Sequence, residues 1–408
     1  RLFGDYHTSN SSFDLDLDVN RLEMLTAQAF SMNAIQKAEG YLSGDLKING
    51  TVEKPSILGK LKFNDVGFGI TQTGSHFKNL NDAIDFTNRG IELNRFKIND
   101  TDGNSLTLNG QILTQDYRDY AFNLDAVARD FKVVNSEKNN DALMYGILAV
   151  DANLQIRGDL DLPKVDGRLA VTDNTDFTFV LPQSSPQLQE REGIVEFIDQ
   201  DQVALQETVV ADSIDSKTDI KGMDVNVNIE LTKEAKLSII IDKANGDFVK
   251  LQGEANLTGG IDPSGKITLV GVYEVDQGAY ELSVSMLKRK FDIQKVSTIT
   301  WTGEPTTAQL DITAVYKTEA APIDLVQQQL GAKSASELNM FKQRIPFNTL
   351  LIMKGELLKP VITFDITTSK ENNAVSSEVI DNTTAKLEQL RREESEMNKQ
   401  VFALLLLN

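Results

Sequence analysis

The chain has 408 residues, with 60 acidic against 41 basic side chains, a net charge of −19, no cysteine and only two histidines. That balance argues against a nucleic-acid surface, which rewards positive charge, and against electrostatic adhesion to anionic lipid headgroups. Without cysteine there are no disulfides and no thiolate metal sites, so stability must come from apolar burial and backbone pairing.

The elements follow in chain order. Phe13–Asn20 reads FDLDLDVN, with Phe13, Leu15, Leu17 and Val19 on one face and Asp14, Asp16, Asp18 and Asn20 on the other. This period of two predicts a strand with one dry and one wet side. The three aspartates, about 7 Å apart, could hold a cation, but a solvated face is the ordinary fate of such a row. Asn20–Ala38 is predicted to be a helix, amphipathic through Leu22, Leu25, Ala29 and Met32. Two later stretches share one template: Ile48–Phe63 reads INGTVEKPSILGKLKF and Ile156–Val171 reads IRGDLDLPKVDGRLAV. Glycine admits a positive φ or a close backbone approach, and proline withholds its N–H from the ladder. Gly-x4-Pro between alternating runs therefore predicts a reversal. It occurs at Gly50…Pro55, Gly158…Pro163 and Gly355…Pro360, with a shortened form at Gly259…Pro263. Further reversals are expected at Asp102-Gly103, Asn245-Gly246, Asp262–Gly265 and Gln277-Gly278.

Strand alternation returns at Met223–Leu231, Gln309–Tyr316 and Val361–Ile366. Between the last two, Ser334-Ala335-Ser336-Glu337 is a capping box opening a short helix to about Gln343. From Val375 onward the composition favours a charged helical tail, in which Leu387, Leu390, Met397, Val401 and Leu404 keep a heptad-like spacing interrupted by Glu394. The longest apolar run, Val401–Leu407, is far short of the roughly 18–20 residues of a spanning helix. Starting at Arg1 and stopping just after a run of leucines, the sequence reads as a piece of a larger protein.

The chemistry of catalysis is poorly represented. His7 and His76 stand apart and in no metal-ligand spacing, and no nucleophile–base pair is apparent. Asn99–Ser105 (NDTDGNS) would place Ile98 at the first position of a calcium loop, where an oxygen is required, so it is a hairpin turn. Trp301 reads as a core or edge aromatic. No catalytic residue, metal or cofactor is expected. What remains is the apolar face, which alternation alone assigns to a closed sandwich core at least as readily as to an open groove.

Gly265–Tyr316 reads GKITLVGVYEVDQGAYELSVSMLKRKFDIQKVSTITWTGEPTTAQLDITAVY. Its ordered landmarks are Gly271, Gly278-Ala279-Tyr280, Phe291-Asp292-Ile293 and Gly303 two residues before Pro305. Leu310–Tyr316 follows, then a late strand pair around Gly355–Pro360. This series resembles the C-terminal region of the TamB family, the AsmA-like translocation and assembly module of Gram-negative envelopes, and its Asn- and Asp-rich style is similar to the versions in Bacteroidota. Two departures stand out: the insertion Ala320–Gln343 is longer than the family pattern, and the chain stops before the family's terminal strand signature.

The resemblance implies an all-β, elongated β-taco, a long antiparallel-rich sheet folded over an apolar lengthwise groove, with few short helices. Residues 1–367 would form one continuous body, with a short helix near 20–38 and a helical insertion near 324–343. Residues 368–408 would form the charged helical tail. It further implies a non-enzymatic, bridge-like phospholipid conduit of the periplasm. Its full-length form would be held in the inner membrane by an N-terminal anchor and paired with an Omp85-family, TamA-like barrel of the outer membrane. A role in outer-membrane protein assembly comes with it. The expected groove-facing residues are Val225, Val227, Ile229, Leu231, Leu310, Ile312, Ala314, Ile362, Phe364 and Ile366, and the expected ligands are phospholipid acyl chains. The competing readings are a closed-core adhesive or structural β-repeat, and a chaperone-like module that accepts strands of outer-membrane proteins at an exposed edge.

Overall fold

Strand alternation wins almost everywhere along the chain. The computed structural model describes residues 1–138, 143–180, 222–243, 246–284, 287–326, 335–368 and 376–407. The first half supplies β1 (Leu2–His7), β2 (Ser12–Glu23), β3 (Ile35–Thr51), β4 (Pro55–Ile70), β5 (His76–Leu80), β6 (Ala83–Thr87), β7 (Gly90–Asn99), β8 (Ser105–Leu113), β9 (Ala121–Ser136) and β10 (Met144–Asp159). There follow β11 (Pro163–Val171), β12 (Asp176–Val180), β13 (Asp224–Leu231), β14 (Lys236–Asp242), β15 (Asp247–Ile261) and β16 (Ile267–Val284). The last are β17 (Leu287–Ile293), β18 (Thr298–Gly303), β19 (Gln309–Ala320), β20 (Ile345–Glu356) and β21 (Val361–Thr368). All 21 strands belong to one sheet. Its pairs are antiparallel except β11–β13 and β12–β14, which are parallel. The fold is all-β.

Four positions in the sheet are each shared by two short strands: β5 with β6, β11 with β12, β13 with β14, and β17 with β18. The breaks line up across the sheet with bulges in the long strands, so a crease divides the sheet into two limbs. A strand broken or bulged at this line loses ladder partners, and an unpaired buried amide costs about 1–3 kcal/mol. Neighbouring side chains replace them. Asp65, Arg95 and Asp130 have left-handed backbones, with φ of 46°, 55° and 47°. Their amides donate to Asn81 Oδ1 at 2.9 Å, Asn109 Oδ1 at 3.2 Å and Asp151 Oδ1 at 2.8 Å, each on the adjoining strand or its break. Further along, Thr175 Oγ1 accepts from the Ala149 amide at 3.1 Å and Ser297 Oγ from the Thr313 amide at 3.0 Å. The crease is the element that a folded-over sheet requires.

The Gly-x4-Pro reversals are hairpin ends. Gly50 pairs with Pro55 and Gly158 with Pro163, closing β3–β4 and β10–β11. Gly158 sits at φ +90°, a region closed to most side chains. Gly355 and Pro360 flank the β20–β21 turn in the same way, whose last pair is Lys354 with Val361. Gly259 is different, and corrects the shortened repeat: it lies within β15, opposite Val227 and Leu269. The reversal there is Asp262–Gly265, closed by the Gly265 amide on Asp262 O at 2.8 Å. Gln277-Gly278 is likewise no turn, because both residues pair inside β16 with β15. Asp102-Gly103 turns as expected, with Asp100 Oδ1 accepting from the Asp102 and Asn104 amides, each at 2.9 Å. Asn245, Ser334 and Val375 lie outside the described residues.

The predicted helix over Asn20–Ala38 shrinks to α1 (Met24–Phe30). Leu22 pairs with Leu42 and Glu23 with Tyr41, so β2 runs through the predicted start, and β3 has begun by Ile35. Ladder pairing with a long neighbour outweighs a weak helical period. In the insertion, α2 (Ile323–Val326) and α3 (Ala335–Met340) are helical. The C-terminal stretch forms α4 (Ser377–Leu390) and α5 (Glu394–Leu407). Val379, Thr383 and Leu387 make one buried stripe, and Met397, Val401 and Leu405 another, each at intervals of four. Both stripes face the sheet: their apolar members share a single core cluster with Phe291, Leu351 and Ile366. Arg391 Nε donates to both oxygens of Asp365, at 2.9 and 3.1 Å, and Arg289 Nε donates to Leu405 O at 2.6 Å.

Candidate functional site: an apolar trough

Because side chains alternate strictly, register decides which of them share a face. Following the pairs from strand to strand, Leu17, Leu46, Gly59, Phe86, Ile91 and Ile112 stand in one line, which continues to Phe122. A second line runs Ile156, Val165, Val225, Ile261, Ile267. A third, nearer the crease, runs Leu154, Gly167, Val227, Gly259, Leu269, Gly303. Apolar residues alternate with glycine in this last line. Gly167 at φ +149° would place a Cβ 2.2 Å from Asn153 O, so no larger residue fits without moving the partner strand.

Apolar side chains of both limbs and of the crease belong to the same clusters. Phe77 of β5 stacks on Phe131 of β9 at 5.4 Å, within a cluster that also holds Ala128, Ala152, Leu154 and Leu169. The opposite face is polar: Asn153, Arg168, Asn228 and Thr258 are in register across four strands.

The trough differs in its two parts. From β1 to β16 much of the first limb's lining is only half-buried, Val165, Val225 and Ile261 included, and Ile267 is 44% exposed. From β18 onward most of the lining is buried. Leu310, Ile312, Ala314, Leu351 and Ile366 are buried in the cluster that includes α4 and α5. The ten expected groove residues therefore separate. Val225, Val227, Ile229 and Leu231 line β13, where Val227 is buried and the other three are half-buried. Leu310, Ile312, Ala314 and Ile366 are buried core residues. Phe364 is half-buried, with its ring 6.1 Å from that of Phe402 on α5, and Ile362 is 43% exposed at the end of β21.

Polar groups interrupt the lining at Tyr273 and at Thr349, which is fully buried between Tyr316 and Ile366. Tyr273, opposite Ile299 and Ala255, is buried, and its hydroxyl finds no hydrogen-bond partner among the described residues. Burial raises its pKa well above the usual tyrosine range. Among the described residues no group of His, Asp and Glu could hold a metal ion, and no helix is long and apolar enough to cross a membrane. Asp14, of the acidic row, lies 3.4 Å from Lys47 Nζ.

A family model described as the TamB C-terminal domain matches residues 94–408, from β7 through the crease and the helices. The chain belongs to the TamB family. This ties it to the translocation and assembly module of that name. No curated protein matches the chain. For a TamB domain the missed signal was the crease. Val171–Phe177 (VTDNTDF), Leu231–Leu237 (LTKEAKL) and Ile293–Ile299 (IQKVSTI) are one repeated turn, with the fifth residue's amide donating to the second residue's carbonyl at 3.0–3.2 Å. Aligning those three stretches would have located the break between limbs.

Proposed function

We propose that this TamB domain is a non-enzymatic conduit for phospholipid acyl chains, working in the periplasm between inner and outer membranes with an Omp85-type, TamA-like barrel as its outer-membrane partner. The observation that carries the reading is an apolar lining in register from strand to strand, half-buried at Val165, Val225 and Ile261, while the opposite face carries Asn153, Arg168, Asn228 and Thr258. Exposing a two-tailed lipid to water uncovers roughly 30 methylenes at ~0.8 kcal/mol each, about 24 kcal/mol in all. A predominantly hydrocarbon surface removes most of that barrier, and the headgroup can travel at the open rim. With four positions shared, the 21 strands occupy 17 positions. At about 4.8 Å per step that is about 80 Å of path, shorter than the roughly 120 Å that 25 stacked strands would give.

A photo-crosslinking residue at Val225 should capture phospholipid, whereas one at Asn226, on the polar face, or at Ile312, buried in the core, should not. Equal labelling at all three positions removes the conduit reading. A second reading, acceptance of a client strand, is favoured by one feature: β21 has β20 as its only strand neighbour among the described residues.

A further inference from the structure

Trp301, the single tryptophan, stands where the open and sealed parts of the trough meet. It lies on β18 opposite Gly271 of β16, half-buried, and packs against the C-terminal core cluster. Its indole Nε1–H donates to Pro305 O at 3.1 Å, which ties the ring to the short 3-10 turn Pro305–Thr307. On the upstream side the lining is accessible: Leu269 is half-buried and Ile267 44% exposed. At Gly303, two residues further on, a Cβ would meet nothing within 4 Å. On the downstream side Leu310 and Ile312 are buried. Ala308, which follows the 3-10 turn, is fully buried as well, so the lining beyond the indole is packed protein.

We propose that Trp301 is the end wall of the trough, a terminal site for a phospholipid acyl chain. A tail carried along the open lining stops against the indole, settles into the space beside Gly303, and passes sideways over the rim at β16–β18, because the packed lining at Ala308, Leu310 and Ile312 bars the way ahead. A rigid aromatic plate with its one polar atom already bonded suits this place: it presents a dry face to the chain and leaves no donor unpaired. The inference rests on the conduit reading and can fail without it.

The lone indole is also the reporter. The purified 408-residue chain is incubated with vesicles of phosphatidylcholine carrying bromine at mid-chain, or with unbrominated vesicles, then separated from them and assayed for retained lipid phosphorus. Loss of most of the Trp301 emission with the brominated lipid alone is the expected result. A variant carrying Trp301→Phe and Val361→Trp, with its indole on an exposed site remote from the trough, should retain the same lipid and keep its emission. Retained lipid with undiminished Trp301 emission overturns the end-wall site and leaves the conduit intact. Equal quenching in the two proteins means lipid adsorbed all over the surface, and overturns the site as well. No retained lipid in either protein overturns both.

Discussion

The sheet's two ends use the same strands, the same alternation and the same hairpins, yet one presents its apolar face to solvent and the other hides it. The difference is made by elements that do not belong to the sheet. Over β1–β16 the first limb's lining is covered on one side only, so Val165, Val225 and Ile261 remain half-buried. Around β21, α4 and α5 lay two aliphatic stripes on the sheet and share one buried cluster with Leu310, Ile312 and Ile366. A closed core and a half-exposed apolar face are thus alternative fates of one pattern, and the chain uses both.

The contrast can be broken most severely from the helix side. Val401→Asp places a charge in an apolar contact and should cost about 4 kcal/mol or more at that docking surface. Amide hydrogen exchange should then show α4 and α5 unprotected while β3 and β10 stay protected, and binding of an apolar dye should rise. Protection unchanged in the helices would mean that they are not what seals this end. Next in size is a matched pair. Leu351→Ala, in the sealed part, should cost about 3 kcal/mol, whereas Val225→Ala, in the open part, should cost about 1 kcal/mol or less, because a half-exposed side chain leaves little cavity. Urea unfolding of the two variants measures this, and equal losses would erase the distinction between the parts. The smallest expected change tests what the two regions share. Asp151→Ala strands the Asp130 amide at the crease and should cost about 1–2 kcal/mol, with faster exchange at Asp130. Asn228→Ala, on the polar face, serves as its neutral reference.

Much of this was legible in the residues. Alternation located the strands at Phe13–Asn20, Met223–Leu231 and Val361–Ile366, and three hairpin ends could be read from glycine and proline. The helix over Asn20–Ala38 was misread because Leu22, Leu25, Ala29 and Met32 satisfy a helical period, while the pairing of Leu22 with Leu42 depends on a strand twenty residues away. Gln277-Gly278 resembles a turn locally and becomes mid-strand only because β15 and β17 flank it. The sealing of Leu310, Ile312, Ala314 and Ile366 had no local sign. A strand's period says which side chains share a face, and nothing about which distant element will come to rest on it. The crease was written three times in the chain, but as a polar turn, and polar turns are ordinarily read as strand ends.

The bulge fastenings of the crease have a consequence for growth. Asn81, Asn109 and Asp151 each secure a bend in the strand immediately beside them, so these three bends depend only on a neighbouring strand. A chain built like this can gain or lose a strand pair by duplication or deletion without redesigning the remainder, and its reach becomes a quantity that evolution can adjust in steps of about 10 Å.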